Sequence, residues 1–344
     1  MSRLLLLLAL LAFILQGCSG GTPSGTEEGR QPLRVWPDPP ASPRLVLENT
    51  IHRAADLGIR PSLWQRLVKL VAGGAELSLE EPMMAVSDPA GRLYVADSGV
   101  GGVHLFDRDR GTHRVLRLAG GGMLPSPVGM ALTGEGRLLV SDSSLGGVFV
   151  LPAGEEGFEP LPLEVAPEQP TGLAWDRGGK RLFVVDTARH TVWIYDRQGR
   201  VMGRIGKRGD AGGEFNYPTM AWWDERGGVL WVADSLNFRL QKFSGDGIFL
   251  AAVGAQGAAS GYLSRPKGVA VDSEGHLYVV DALFNVMQLF DQQGNLLLYL
   301  GSPGPRPGQF LLPAGLFIDE GDRIYVADSR NRRVQVFRYL GSGS

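Results

Sequence analysis

One seven-residue phrase recurs six times along the chain and constrains its fold more than any other feature. It begins in a turn, continues through branched or aromatic residues and ends in aspartate, as in Gly-Arg-Leu-Tyr-Val-Ala-Asp at 91–97. The terminal aspartates are Asp97, Asp142, Asp186, Asp234, Asp281 and Asp328. They lie 45, 44, 48, 47 and 47 residues apart. A period of this length suits four short strands, so the sequence predicts six similar β units.

The fifth repeat shows how each unit divides into strands. A strand of small residues at 268–272 is followed by a turn and by a second strand at 277–280, which ends at Asp281. Two further strands are expected at 286–290 and 296–300. Branched and aromatic runs bounded by Gly and Asp are typical of antiparallel strands. Six such units predict an all-β fold, a six-bladed β-propeller.

The sixth repeat lacks a fourth strand, because it ends soon after Val-Gln-Val-Phe at 334–337. An unassigned strand candidate, residues 43–47, lies ahead of the first repeat. We predict that this N-terminal strand closes the ring by pairing with the last blade. Closure would remove the unpaired edge that antiparallel sheets otherwise expose to aggregation.

The first residues of the chain resemble a bacterial export signal. An apolar run of twelve residues at 4–15 leads into Leu15-Gln16-Gly17-Cys18. This run is too short to span a bilayer and suits a signal-peptide core. The four residues resemble a lipobox, in which a diacylglycerol is attached to the cysteine sulfur and the chain is cut before it. Cys18 is the only cysteine of the chain, so it has no disulfide partner within it.

The resemblance predicts a lipid anchor on Cys18, with a plain secretory signal as the alternative. Ser19 follows the cysteine where an inner-membrane retention signal would have Asp. The resemblance therefore implies the outer membrane if the cell has two membranes. We expect a signal peptide at 1–17, a tether rich in Gly, Ser and Pro at 18–42, and the propeller at 43–344.

A single helix is predicted before blade one, at about 61–72. Leu63, Trp64 and Leu67 would share one face, and Gly73-Gly74 would end the helix. We expect this face to pack against the propeller. Contact with the membrane surface near the anchor is the alternative.

The repeats resemble those of NHL-repeat propellers. That family's pattern contains Tyr-Val-Ala-Asp, then Asn and Arg, then Val-Gln-Val-Phe, and residues 325–337 follow it closely. Residues 234–243 also match, whereas Gly pairs stand at 101–102 and 146–147 in place of Asn and Arg. The resemblance covers about residues 43–340. It implies a fold and says little of activity, because propellers host many functions.

No constellation of residues in the sequence points clearly to catalysis. The repeated aspartates could form a metal ring, but an aspartate in every repeat is more typical of a carboxylate that accepts N–H bonds from the following loop. An amidating lyase related to NHL propellers uses histidines for zinc. The histidines here, which lack zinc-ligand spacing, are His52, His104, His113, His190 and His276. We therefore expect no catalytic residues, no metal ligands and no cofactor.

Large side chains gather in the loops that follow the repeated aspartates of blades three to six. Protein interfaces favour aromatic residues and arginine. The candidate partner-binding residues are Arg189, Phe238, Arg239, Phe284, Asn285, Arg330, Asn331 and Arg332. Alternatively, the arginines are solvated or pair with aspartates.

The charge balance argues against a nucleic-acid partner, because 34 basic and 36 acidic residues give a net charge of −2. The sequence favours a lipid-anchored, non-enzymatic scaffold that binds a protein, peptide or glycan in the cell envelope. The alternative is a metal-dependent lyase or lactone hydrolase that works at the channel mouth.

Overall fold

The computed structural model describes residues 34–38, 40–60, 77–152 and 154–341. The predicted signal peptide, Cys18 and the helix predicted at 61–72 lie outside these residues. Ahead of blade one, the described residues contain a 3₁₀ turn, Ala54–Leu57, and no longer helix. No helix of the described residues is long and apolar enough to cross a bilayer.

The first three blades follow one another along the chain, and each has four strands. Blade one has β3 (Pro82–Ser87), β4 (Leu93–Asp97), β5 (Gly102–Asp107) and β6 (Thr112–Leu118). Blade two has β7 (Pro127–Leu132), β8 (Leu138–Asp142), β9 (Gly147–Leu151) and β10 (Gly157–Pro160). Blade three has β11 (Pro170–Asp176), β12 (Arg181–Asp186), β13 (Thr191–Asp196) and β14 (Val201–Ile205).

The last three blades repeat the arrangement, and the sixth takes its outer strand from the N-terminal region. Blade four has β15 (Pro218–Asp224), β16 (Val229–Asp234), β17 (Arg239–Ser244) and β18 (Phe249–Val253). Blade five has β19 (Pro266–Val271), β20 (Leu277–Asp281), β21 (Val286–Phe290) and β22 (Leu296–Leu300). Blade six has β23 (Pro313–Ile318), β24 (Arg323–Asp328) and β25 (Arg333–Tyr339), with 3₁₀ turns at Ser235–Asn237 and Ser329–Asn331 in blades four and six.

The predicted closure of the ring is confirmed. Strand β2 (Leu45–Ile51) runs antiparallel to β25, pairing Leu45 with Tyr339 and Ile51 with Val334. A further short strand, β1 (Val35–Trp36), pairs with the outer edge of β2. The predicted tether at 18–42 therefore extends too far, because Val35 and Trp36 belong to the sheet. The physical reason is the Trp36 side chain, which is buried and lies with its ring centroid 5.6 Å from that of Phe337.

Blades one and two are more closely joined than four-stranded repeats would suggest. Strand β10 pairs antiparallel with β9 and, at its other end, parallel with β6 of blade one. The two blades thus share one eight-stranded sheet. Gly157 permits this approach, because a Cβ atom at that position would lie 2.8 Å from the Cα atom of Ala119.

Replacing Leu45 by alanine should destabilise the protein by about 2–5 kcal/mol, because the leucine is fully buried where the closing strand meets blade six. Glu48→Ala on the same strand is the control. It removes partly exposed ion pairs with Arg323 and Arg338 and should cost less than about 1 kcal/mol. Denaturant unfolding measures both values. Equal, small losses would contradict the role assigned to the closing strand.

Candidate functional site

The ring has two ends that differ in chemistry. We call one end the loop face, which carries the loops after the repeated aspartates and the linkers that lead into the blades. The other end is the hairpin face, formed by the turns between the first and second strands of each blade. The predicted partner-binding residues lie on the loop face, and a central cavity opens on the hairpin face.

The six repeated aspartates are fully buried and hold backbone N–H groups at the loop face. In blade five, Asp281 accepts hydrogen bonds from the amides of Ser264 and Arg265 at 2.6 and 3.0 Å, in the linker that leads into the blade. It also accepts bonds from Leu283 and Phe284, both at 3.0 Å, in the following loop. The sequence predicted only the loop bonds. The linker bonds mean that each aspartate fastens the first strand of its blade to the second.

Asparagine and arginine side chains complete this arrangement in blades four and six. In blade six, the Arg333 guanidinium donates to Asp328 at 2.7 Å, and Asn331 donates to the same carboxylate at 2.9 Å. In blade four, Arg239 donates to Asp234 at 2.9 Å and to the carbonyl of Ala211 at 2.8 Å. Arg239 and Asn331, two predicted partner-binding residues, are therefore engaged in their own blades.

Three other predicted residues are also tied to neighbouring groups. Asn285 is buried and accepts a 2.7 Å hydrogen bond from the amide of Leu312. Arg332 reaches Glu80 of blade one at 3.0 Å, and Arg330 lies 3.6 Å from Glu81. These two arginines bridge blades six and one, yet both remain largely exposed.

The last three predicted residues are partly accessible but do not converge on a pocket. The Arg189 guanidinium donates to the carbonyl of Ala166 at 2.9 Å and lies 3.3 Å from Asp186. Phe238 and Phe284 are partly buried. The predicted residues therefore lie apart in the loops of blades three to six, and none of them lines the cavity on the hairpin face.

A cavity of about 830 Å³ occupies the centre of the ring on the hairpin face. Its aromatic lining comes from the innermost strands and includes Trp175, Trp222, Trp223 and Phe317. The sequence analysis missed this site, having interpreted the innermost strands as runs of small residues. The sequence did contain an indication of an aromatic lining. Trp222-Trp223-Asp224 stands at the repeat position where blade five has Ala270-Val271-Asp272.

The aromatic side chains of the cavity are held by neighbouring blades. Trp222 of blade four meets Phe317 of blade six edge-on, with ring centroids 5.8 Å apart. Trp223 stacks on Phe183 of blade three at 5.4 Å, and the Arg181 guanidinium lies over its ring. The indole N–H groups of Trp175 and Trp223 are buried without a hydrogen-bond partner. The aromatic wall is thus fixed in place, and charged side chains such as Arg226, Asp319 and Arg323 also line the cavity.

Charged residues surround the mouth of this cavity. Arg177 of blade three donates to Glu320 of blade six at 2.7 Å, although the two blades lie three positions apart in a six-membered ring. The backbone amide of Arg177 donates to Glu225 of blade four at 2.6 Å. The Arg177 and Glu320 side chains are 49% and 73% exposed, so their ion pair adds little stability and can open at little cost.

Of the histidines that the sequence raised as possible zinc ligands, two lie side by side and the others lie elsewhere in the described part of the chain. His104 is buried in blade one, 3.4 Å from Asp97 and 2.8 Å from His113. Burial, and to a lesser degree the neighbouring His104, lower the pKa of His113 to about 4. His190 accepts a hydrogen bond from the amide of Tyr217, and burial lowers its pKa as well. The described residues contain no cluster of three potential metal ligands, and none of their histidines lines the cavity.

Comparisons with known proteins agree with this architecture. The family model described as 6-bladed beta-propeller, DUF5128, matches residues 175–254. The NHL repeat model matches residues 263–290 and 310–337. The chain is a six-bladed β-propeller with NHL repeats. Comparison with the curated proteins gave no significant match.

Solved structures share the fold of this propeller at low sequence identity. The chain is 12% identical to virginiamycin B lyase from Staphylococcus aureus, with a TM-score of 0.56 over 77% of this chain and 98% of that one. An auxiliary nutrient binding protein from Bacteroides thetaiotaomicron is 14% identical, with a TM-score of 0.60 over 77% and 70%. One from Bacteroides ovatus is 13% identical, with a TM-score of 0.59 over 77% and 71%. Identities this low show the fold alone.

Asp281→Asn should destabilise the propeller by about 2 kcal/mol. The amide oxygen can accept from only one of the two pairs of backbone N–H groups, so two partly buried donors lose their partner. Asp291→Asn, in an exposed turn of the same blade, should cost less than about 1 kcal/mol. Denaturant unfolding of the two variants tests the difference. A harmless Asp281→Asn would show that this carboxylate does not fasten the blade.

Proposed function

We propose that the protein is a non-enzymatic binding scaffold of the bacterial cell envelope and that its ligand, a glycan or another small molecule with apolar faces, occupies the central cavity. The observation that carries this proposal is the cavity itself, with three tryptophans and Phe317 in its wall. Its volume falls in the range of about 300–1,000 Å³ that is usual for ligand sites.

The chemistry of the cavity supports a ligand with both flat apolar faces and polar groups. Tryptophan rings bury large apolar areas and stack on flat partners. At the mouth, Arg177 and Glu320 supply a donor and an acceptor, and their exposed ion pair can open to admit a ligand. The two Bacteroides propellers are described as auxiliary nutrient binding proteins, which is consistent with this proposal. The described residues supply no observation that favours the alternative of a metal-dependent lyase or lactone hydrolase.

Trp222→Ala should weaken binding at least tenfold, or about 1.4 kcal/mol, because it removes an aromatic wall of the cavity. A ligand of the wild-type protein can be sought in a panel of neutral and acidic oligosaccharides. Binding is measured as a change in the intrinsic tryptophan fluorescence or in the melting temperature of the protein. Trp193→Phe is the matched control, because Trp193 lies outside the cavity lining.

Two outcomes would overturn the cavity as the binding site. The first is a ligand that binds the Trp222→Ala variant as tightly as the wild type. The second is a ligand whose binding is lost only when Phe238 of the loop face is replaced by alanine, which would restore the loop face as the main site.

We also propose that the protein is held at the membrane by a lipid on Cys18, in the outer membrane of a two-membrane cell, because the sequence at 15–18 resembles a lipobox. Cys18→Ser should leave the precursor uncleaved or release the protein into the soluble fraction. Fractionation of cells and detergent phase separation measure this directly. A Cys18→Ser variant that partitions with membranes and is processed like the wild type would exclude the lipid anchor.

A further inference from the structure

The loop-face surface of blades five and six concentrates positive charge. It consists of two linkers and two loops, at 254–265, 282–285, 301–312 and 329–332, and we call it the basic sector. These segments contain no Asp or Glu, and their four arginines are all exposed: Arg265, Arg306, Arg330 and Arg332. The linkers into blades three and four, by contrast, contain Glu168 and Glu214. The basic sector is therefore positive on a chain whose net charge is −2.

Large apolar side chains are exposed in the same segments. They are Tyr262, Leu283, Leu311 and Leu312. Leu283 is the most open of them, with a relative exposure of 59%. Single exposed apolar residues are common on protein surfaces, but a group of them marks a surface that contacts a partner or a membrane.

Hydrogen bonds join the segments of the basic sector side by side. In blade five, the first amide of the loop at 282–285 donates to the carbonyl of Arg265 at 3.0 Å. The amide of Leu312 donates to a side chain of that same loop at 2.7 Å. In blade six, the amide of Arg330 donates to the carbonyl of Leu311 at 3.1 Å. The leucines and arginines therefore belong to one continuous surface.

Two of the arginines form ion pairs at the border of the sector with blade one. Arg332 lies 3.0 Å from Glu80, and Arg330 lies 3.6 Å from Glu81. The four side chains of these pairs are all exposed. Exposed ion pairs are weak, so these arginines can exchange a glutamate for another anion at little cost.

The described chain begins beside the basic sector. The Arg34 guanidinium donates to the carbonyl of Pro307, in the linker into blade six, at 2.7 Å. Trp36 packs on the same linker, where a Cβ atom at Gly308 would lie 2.5 Å from the indole ring. Fifteen residues separate Arg34 from Cys18, and a chain of that length reaches at most about 50 Å. A lipid on Cys18 would therefore keep this surface within reach of the bilayer.

We propose that the basic sector docks on the surface of an anionic membrane. Its leucines and Tyr262 lie at the boundary between headgroups and acyl chains, where apolar and aromatic side chains are favoured. Its arginines bind lipid phosphates, which the planar guanidinium contacts through two hydrogen bonds. The proposal agrees with the lipid anchor proposed for Cys18 but does not depend on it. Docking in this way turns the hairpin face away from the membrane, so a ligand can still enter the cavity.

Flotation with lipid vesicles tests the proposal on the chain from residue 19 onward, which carries no lipid. Every strand of the closed ring lies within this chain, so it keeps the fold. It should bind phosphatidylcholine vesicles that contain about 30% phosphatidylglycerol at least about tenfold more tightly than vesicles of phosphatidylcholine alone. High salt should weaken this binding, because it screens the arginines.

Two double variants separate the contributions of charge and apolar area. Arg265→Gln with Arg306→Gln should weaken binding to the anionic vesicles at least about tenfold. Leu283→Ser with Leu311→Ser should weaken it as well, because less apolar area enters the interface. The matched control is Arg110→Gln with Arg197→Gln, which removes the same charge from exposed turns at the opposite end of the ring and should leave binding unchanged. The melting temperature of each variant verifies that it is folded.

Three results would overturn the proposal. The first is a chain that binds neither kind of vesicle, which would leave the exposed leucines as a surface for a protein partner. The second is equal binding to anionic and neutral vesicles. The third is a control variant that loses as much affinity as the arginine variant of the basic sector. Because none of these chains carries a lipid, the results do not depend on whether Cys18 is modified, and the two proposals can fail separately.

Discussion

The carboxylate at the end of each second strand is the interaction on which the rest of the ring depends. It is fully buried in all six blades and accepts a backbone hydrogen bond from the linker that leads into its blade. In blade five the following loop adds further backbone N–H groups, whereas in blade four the Asn237 and Arg239 side chains take their place. In three blades, the residue after the aspartate joins that blade to the next. The hydroxyl groups of Ser143, Thr187 and Ser329 each donate a hydrogen bond to the carbonyl of the first proline of the following blade. The oxygen–oxygen distance is 2.6 Å in all three. Hydrogen bonds to charged acceptors are among the stronger ones, so this pattern accounts for a repeated aspartate without metal chemistry.

The number of blades and the closure of the ring could be predicted because both follow from local patterns. The repeated phrase and its flanking turns mark the strands, and the missing strand of the sixth repeat requires a replacement. Strand β1 could not be predicted, because Val35 and Trp36 stand among prolines and pair over only two residues. The same limit applies to β10, which contacts two blades through two pairs each. Such short, non-local pairings leave no periodic trace in the sequence.

The functional site was harder to predict than the fold. Side-chain size pointed to the loop face, but Arg239 and Asn331 complete the hydrogen bonds of their own aspartates there. The cavity is assembled from strands that are far apart in sequence, and its volume depends on small residues in some blades as well as on large ones in others. In the sequence, the cavity shows only when equivalent positions of the repeats are compared. Blade four has Trp222 at the position where blade five has Ala270.

The packing of the innermost strands argues that the two ends of the ring act independently. A Cβ atom at Gly172 of blade three would lie 2.5 Å from the Cα atom of Met220 in blade four, and one at Gly268 would lie 2.8 Å from the backbone amide of Leu316 in blade six. Neighbouring innermost strands therefore touch through their backbones, which leaves them little room to slide. Coupling between distant sites requires an element with two arrangements, and strands packed this closely do not provide one. A ligand in the aromatic cavity would therefore leave the loops at the other end of the ring unchanged.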